Sequence, residues 1–498
     1  MPEPELATLT SEEALRSNRR AATAKIGVFN VGFHRYWPQF PGLRERLEGD
    51  RMEFENRIQS FGVEMVSAGL VDTVEAGRRA GELLAAQNVD LIFCDVTTYV
   101  QSAFVLPVAQ RAKTHMVLAG LQPTPGMDTA TATTFEQLAH DNCTSLPEIS
   151  YALHRAGLEC DVVFGMLHND DRAWGSIQDW VLAAKAAHAL RNARIGLLGH
   201  PFEGMLDMNA DPTAFDAAFG MHIDMLEMCD LKKRVDSASA AEVAAMKARI
   251  EEFLWFPEPG ADKIAGPVTP EALDWSARVA VGLEKLAADF GLDGLAHYYR
   301  GVDGNEYGQL IAGIIVGASL LTARGIPVAG EGDLKNCVAM LLMDRLGAGG
   351  SFSELHPADF REDFVFVGHD GPGHIAISND KPALRGLSLY HGKFGRGVSV
   401  EFKVKNGPVT ILGLTLGADN RFKFVAAEGE SVPGSIPATG NTNTRCRFRP
   451  DVATFIERWS EAGPTHHFAL GVGRQLSRIR KVARLFGMPV DVVAELDK

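Results

Sequence analysis

Two glutamates in the last third of the chain stand next to glycine-rich turns, where a carboxylate could take part in chemistry. Glu331 lies between glycines in AGEGDLK, directly after the apolar segment GIPV, and Glu354 follows a glycine turn in GAGGSFSELHP. A carboxylate at the end of a strand is within reach of a metal ion or a substrate. The alternatives are a solvated surface turn for Glu331 and, for Glu354, a helix N-terminus capped by Ser351 or Ser353.

Histidines are grouped in the same part of the chain. His369, Asp370 and His374 lie in the loop VGHDGPGH, and His466 is followed directly by His467 in GPTHHFAL. Neutral imidazole is a common ligand of divalent metals. Because successive side chains of a strand point to opposite faces, we expect at most one histidine of the adjacent pair to join a given site. A solvated turn and histidines satisfied within the core are the alternatives.

Together, two glutamates and two histidines form a ligand set suited to Mn²⁺, Mg²⁺ or Co²⁺. Such a set leaves coordination positions for two substrate oxygens. The sequence contains no HExxH of a zinc protease, no paired cysteines of a structural zinc site and no Walker A loop. It therefore predicts a metal centre with mixed oxygen and nitrogen ligands, and it argues against kinase chemistry.

The elements that must position these residues change in character along the chain. Apolar strands alternate with helical segments over residues 25–170 and again over residues 171–350, which predicts two doubly wound α/β domains. Residues 351–498 alternate apolar and polar side chains around NGP and GADN turns, which predicts a C-terminal antiparallel β-barrel-like domain completing the site. The polar residues 1–24 are predicted to form a mobile N-terminal arm.

Composition favours a soluble globular protein of 498 residues. Hydrophobic residues make up 46% and charged residues 22%, and the net charge is −14, which argues against nucleic-acid or membrane partners. Six cysteines without a CxxC pair indicate reduced thiols and a cytoplasmic location. No apolar stretch reaches the roughly 18 residues that a membrane-spanning helix needs.

The order of the motifs, AGEGD, then SF-x-E, then VGH and a C-terminal HH, resembles the L-arabinose isomerase family and the wider arabinose and fucose isomerase group. The resemblance covers nearly the whole chain, including the segment GLLGHPFEGMLDMN. It implies that Glu331, Glu354, His369 and His467 bind a divalent metal, usually Mn²⁺ with Mg²⁺ or Co²⁺ as alternatives. It also implies that the two glutamates are catalytic and transfer protons.

The same resemblance implies contacts to a sugar from His466, Gln122, Met205 and His34. Core packing is the alternative for Met205, and cover for a sheet edge is the alternative for His34. The sequence departs from the family around its ligands, for example at Leu334, where the family has tryptophan. The substrate expected from the resemblance is therefore a pentose, hexose or deoxyhexose rather than L-arabinose alone.

The function implied is a metal-dependent aldose–ketose isomerase that acts through a metal-chelated enediol intermediate. The resemblance also implies a homo-oligomer, either a hexamer or a tetramer. Two other classes stay open. One is a cytosolic sugar-binding or regulatory protein, because two α/β lobes also occur in sugar-binding proteins. The other is a metal-dependent hydrolase or aldolase that uses the same ligands.

Overall fold

The first third of the chain has the parallel sheet that the strand–helix alternation predicts. The computed structural model describes residues 23–258, 260, 262, 264–302, 304–387 and 397–497. Of the predicted mobile arm, residues 1–22 lie outside these residues. The chain forms two compact units, an N-terminal unit, Ala21–His188, and a C-terminal unit that begins at Ala189. The finer division at residues 24, 170 and 350 stays a prediction.

The N-terminal unit has one sheet of five parallel strands in the order β2-β1-β3-β4-β5. Its strands are β1 (Lys25–Val31), β2 (Glu64–Val71), β3 (Leu91–Asp95), β4 (Met116–Gln122) and β5 (Cys160–Met166). Its helices are α1 (Leu43–Ser60), α2 (Val74–Ala86), α3 (Ser102–Ala112), α4 (Thr134–Leu138), α5 (Ser145–Arg155) and all but the last three residues of α6 (Asp171–Arg191). Strand β3 is buried along its whole length, and its first four residues are apolar, as is usual for a strand covered on both faces.

A buried polar pair lies where β1 and β3 end. Asn30 and Asp95 are register partners on these neighbouring strands and are 0% and 3% exposed. Within the described part of the chain, Oδ1 of Asn30 and Oδ2 of Asp95 have no hydrogen-bond partner. Burial raises the pKa of Asp95 well above its usual range, and the nearby carboxylates of Asp50 and Glu55 raise it further.

We expect Asp95→Asn to remove a pH dependence of stability from the N-terminal unit. The folded protein holds a proton on Asp95 that the unfolded chain releases above about pH 4, so rising pH favours unfolding by about 1.4 kcal/mol per pH unit until the folded pKa is reached. Asparagine mimics the protonated acid and lacks this slope. Amide hydrogen exchange in β1 and β3 over a pH series, with Asp128→Asn as an exposed control, measures it. Equal slopes in wild type and Asp95→Asn would contradict the prediction.

The C-terminal unit begins with a second parallel sheet, in the order β10-β9-β6-β7. The strands of this region are β6 (Arg194–Gly199), β7 (His222–Leu226), β8 (Ala265–Gly266), β9 (Gly294–Tyr298) and β10 (Val328–Ala329). The helices are α7 (Pro212–Phe219), α8 (Met228–Asp236), α9 (Ala240–Phe253), α10 (Pro270–Phe290), α11 (Glu306–Ala312), α12 (Ile315–Ala323) and α13 (Leu334–Arg345). Helix α13 follows directly after the AGEGD motif, and its first eleven residues are buried.

An antiparallel barrel completes this unit, as the sequence predicts. Its strands are β11 (Gly349–Asp359), β12 (Phe364–His369), β15 (Gly407–Leu416), β16 (Phe422–Ser431), β17 (Thr442–Phe448) and β18 (Phe468–Val472). The pairing of β15 with β16 closes the barrel, and β19 (Val490–Ala494) adds to β16 in parallel. Strand β13 (Ala383–Leu387) pairs with both β14 (Gly397–Glu401) and β8 in a separate sheet. The remaining helices are α14 (Val452–Glu461) and α15 (Leu476–Phe486).

The prediction of α/β domains followed by an antiparallel barrel is thus confirmed, and one local alternative is wrong. Glu354 lies in strand β11, so neither Ser351 nor Ser353 caps a helix there. Among the described residues, no single helix has the length and apolar composition to cross a membrane. Helices α11 and α12 meet these criteria only as a pair, which is bent by 48°.

Candidate active site

Glu331 lies on a tight turn between β10 and α13. Its backbone is left-handed, with φ of +58°, as is that of Gly332 at +75°. The carbonyl of Glu331 accepts from the amide of Phe202 at 2.9 Å, and the Gly332 amide donates to the carbonyl of His297 at 3.0 Å. A Cβ atom on Gly332 would lie 2.6 Å from the carbonyl oxygen of His200, so glycine is required there. The glycines of GEG leave room for this tight turn. Glu331 is half-buried there, and its backbone adopts a conformation that residues other than glycine rarely adopt.

Glu354 and His369 approach each other from neighbouring barrel strands. Strands β11 and β12 are antiparallel, and Glu354 is opposite Gly368, the residue before His369. Oε1 of Glu354 is 3.9 Å from Nε2 of His369, while Nδ1 of His369 is 3.2 Å from Oδ1 of Asp370. His369 is 3% exposed. The barrel thus places a carboxylate and a buried imidazole side by side.

His466 and His467 precede strand β18 and are not part of it. The expectation that they face opposite sides of a strand is therefore wrong, because their rings pack together with centroids 3.9 Å apart. Nε2 of His467 is 3.4 Å from Oε2 of Glu331. Nδ1 of His467 is 3.1 Å from Oδ2 of Asp333, which is completely buried. The carboxylate of Asp333 orients the His467 ring so that Nε2 points toward Glu331 and Glu354.

Phe352, a residue of β11, packs against two of these imidazoles. Its ring centroid is 4.4 Å from that of His369 and 4.5 Å from that of His467, and the side chain is fully buried. Such packing restricts the rotamers of both histidines. The two rings are therefore held in position by side-chain packing as well as by hydrogen bonds.

A fourth histidine, His356, changes the electrostatics of Glu354. Nε2 of His356 is 3.3 Å from Oε1 of Glu354, and Nδ1 of His356 is 2.6 Å from Oδ1 of Asn443. Burial by itself would raise the pKa of Glu354, but the bond to His356 and the charge of His467 outweigh burial and lower it. Burial would likewise lower the pKa of His356, and its bonds to Glu354 and Asn443 raise it. Glu354 is therefore an ionised acceptor at neutral pH.

Some of these side chains line a cavity of about 350 Å³. Glu331, Glu354, His369 and His466 are among its polar lining residues, and Met205 is part of its wall, while the contact of Met205 with a sugar stays a prediction. Aromatic and aliphatic residues line other parts of the wall, namely Phe202, Tyr298, Tyr299, Ile311, Ile314 and Ile315. The size is in the range of small-molecule sites.

The donor set fits a divalent cation. Glu354, His369 and His467 each offer one ligand atom, and these atoms lie within 4.8 Å of one another. Glu331, His466 and His467 form a second such group, so that His467 belongs to both. Within the described residues, Nε2 of buried His467 makes no hydrogen bond, while its Nδ1 is held by a carboxylate. That is the usual environment of a metal-binding histidine.

Two predicted sugar contacts belong to the N-terminal unit. Nε2 of Gln122 donates to the carbonyl of His140 at 3.4 Å, and Nδ1 of His34 is 3.0 Å from the carbonyl oxygen of Asp72. Their contact with a sugar stays a prediction.

Sequence reasoning missed Asp333, although it stands within the AGEGD motif, where an aspartate before a helix is a recognisable N-cap signal.

Fold and site together define an α/β protein with a carboxylate–imidazole centre at a closed antiparallel barrel. Residues 349–489 match the family model of the L-arabinose isomerase C-terminal domain. The L-arabinose isomerase of Aeromonas salmonicida is 24% identical over 341 residues, 66% of this chain and 65% of that protein. That of Nocardioides sp. is 26% identical over 326 residues, 63% of this chain and 62% of that protein. The chain is thus similar to L-arabinose isomerases, and its residues 349–489 match the C-terminal domain of that family.

The aligned part of the chain covers slightly less than two thirds of these relatives. An L-arabinose isomerase of Escherichia coli is 24% identical over 333 residues, which are 65% of this chain and 65% of that protein. Among solved structures, a periplasmic solute-binding protein from Actinobacillus succinogenes with bound D-allose matches at 11% identity over 62% of this chain and 78% of that chain. Its TM-score of 0.17 is too low to indicate a shared fold.

Proposed function

We propose that the protein is a metal-dependent aldose–ketose isomerase acting on a pentose, hexose or deoxyhexose. The observation that carries this proposal is the convergence of two glutamates and two histidines from four separate motifs at one cavity. Relatives named L-arabinose isomerase support the same class of reaction. The altered residues around the ligands, such as Leu334, leave the choice of sugar open.

Glu331, Glu354, His369 and His467 would hold the metal, for which Mn²⁺ is our first choice. When bound, a divalent cation would act as a Lewis acid that favours negative charge on substrate oxygens. In the direction from aldose to ketose, one glutamate would remove the proton from C2 and leave an enediolate. A proton would then return to C1, while the hydroxyl proton moves from O2 to O1, so the sugar keeps its mass.

The test is ketose formation by EDTA-treated protein, with and without added Mn²⁺, across a panel of aldopentoses, aldohexoses and deoxyhexoses. We expect ketose from at least one sugar, and only after metal is restored. Chromatography with mass detection separates isomerisation from cleavage, since isomerisation conserves mass. Cleavage products would instead support a hydrolase or aldolase, whereas sugar binding without turnover would support a binding protein.

Oligomeric state is a separate proposal. We propose a homo-oligomer, either a hexamer or a tetramer, on the strength of the family resemblance. Light scattering of the purified full chain measures the mass directly, and a monomer at working concentrations would contradict it.

A further inference from the structure

Asp207 contacts His466 through one carboxylate oxygen. Oδ2 of Asp207 lies 2.9 Å from the backbone amide of His466 and 2.6 Å from its ring Nδ1. Because the backbone amide is a fixed donor, this oxygen acts as an acceptor, so Nδ1 must carry the hydrogen. Nε2 is then the ring nitrogen available to a ligand, and the His466 side chain lines the cavity.

Lys335 fixes the turn that carries Asp207. The lysine is 1% exposed, and its Nζ donates to the backbone carbonyls of Asp207 at 2.5 Å and Asn209 at 3.2 Å. These residues belong to or follow a short 3₁₀ turn, Leu206–Met208. A buried ammonium group without such acceptors would be costly, so the turn and the lysine stabilise each other.

The positions of His466 and His467 therefore both depend on residues at the start of α13. Asp333, which caps this helix, binds His467 directly. Lys335, two residues later, acts on His466 through Asp207. The two arrangements share a carboxylate on Nδ1 but differ in exposure, because His467 is fully buried whereas the His466 side chain is 36% exposed.

We propose that Asp207 and Lys335 are positioning residues that hold His466 with Nδ1 protonated and Nε2 facing the cavity, as the acceptor for a hydroxyl group of the sugar. This inference rests on the proposed isomerase function for the identity of the ligand. It assigns the two histidines different tasks. His467 supports the metal centre, and His466 recognises a substrate hydroxyl.

The state of the ring can be measured without turnover. In protein labelled with ¹⁵N-histidine and free of paramagnetic metal, at mildly alkaline pH, we expect a hydrogen-bonded Nδ1–H for His466. The His466→Gln spectrum identifies the signal by its loss. Asp207→Ala should remove this Nδ1–H signature, whereas Asp211→Ala, an exposed helix cap on the same segment, should leave it unchanged. An unprotonated Nδ1 in the wild type would overturn the proposal.

Steady-state kinetics then test whether Asp207 and Lys335 contribute to binding of the sugar. Loss of one hydrogen bond to substrate predicts a rise in KM of about 3- to 10-fold in Asp207→Ala and Lys335→Met, with kcat changed by less than about twofold. Asp207→Asn should recover part of the loss, since its amide oxygen still accepts. In a His466→Ala background, neither substitution should have a further effect. Additive effects would overturn the proposal.

Metal binding separates this inference from the function on which it rests. Mn²⁺ affinity, measured by calorimetry, should be the same in wild type and Asp207→Ala. A weakened affinity would make His466 a metal ligand and overturn its assignment to substrate. If no sugar of the panel is isomerised, the proposed function fails, whereas the ring state of His466 is still decided by the nitrogen spectra.

Discussion

Replacing either glutamate by glutamine is expected to reduce ketose formation by about 10²–10⁴-fold, the usual contribution of general acid–base catalysis. Glutamine keeps the size of the side chain but cannot accept and return a proton. Glu331 and Glu354 come from different elements, yet both face the cavity that His467 adjoins. We therefore expect Glu331→Gln and Glu354→Gln each to lower kcat, as measured by chromatographic ketose assay at saturating Mn²⁺.

A double variant tests whether the two glutamates act in one step. Groups that work as a unit show strongly non-additive effects, so Glu331→Gln combined with Glu354→Gln should be little worse than the more damaging single change. Glu362→Gln is a matched control, because this exposed glutamate lies between β11 and β12, outside the cavity. Retention of near wild-type kcat in both single variants would contradict the assignment of these carboxylates as proton carriers.

The motifs at the ends of strands were the part of the site that sequence could predict. Glu331 was expected at the end of a strand because glycines flank it, and it lies just after β10. Glu354, by contrast, lies within β11 and not at the end of an element, and His369, expected in a loop after a strand, is the last residue of β12. The prediction for the position of Glu331 succeeded because an apolar run followed by glycines is a strong local signal for the end of a strand.

The supporting residues could not be predicted in the same way. Asp333 is 134 residues from its partner His467, and Asp207 is 259 residues from His466. Contacts between residues so far apart in sequence depend on tertiary packing. The local periodicity of a sequence carries no information about such packing. The error over the adjacent histidines has the same cause, since the strand that they were assigned to begins only at Phe468.

The N-terminus of α13 therefore links fold stability to the site. Its Asp333 uses one carboxylate oxygen, Oδ1, to cap the helix at the amide of Asn336 and the other, Oδ2, to hold His467. A single side chain thus satisfies a helix-end donor and sets the orientation of the His467 ring. This division between two oxygens makes it possible to remove one task and keep the other.

Asp333→Asn is expected to weaken Mn²⁺ binding by about 10- to 100-fold, the usual cost of losing the partner of a metal-binding histidine. The backbone amide of Asn336 is a fixed donor, so the new amide oxygen will cap the helix, where asparagine is as favourable as aspartate. The amide nitrogen then faces Nδ1 of His467 and can only donate. His467 must therefore carry its proton on Nε2, the atom that is needed for the metal.

Calorimetric titration with Mn²⁺ measures this effect, and urea unfolding checks that the helix cap is kept. Asp451→Asn is the matched control, because Asp451 caps α14 through the amide of Thr454. We expect this control to leave Mn²⁺ affinity unchanged. Unchanged affinity in Asp333→Asn would mean that His467 does not bind the metal through Nε2, whereas a large loss of stability would mean that the substitution disrupts the cap. Weak metal binding in a normally stable protein is the outcome that identifies the carboxylate–imidazole pair as part of the metal centre.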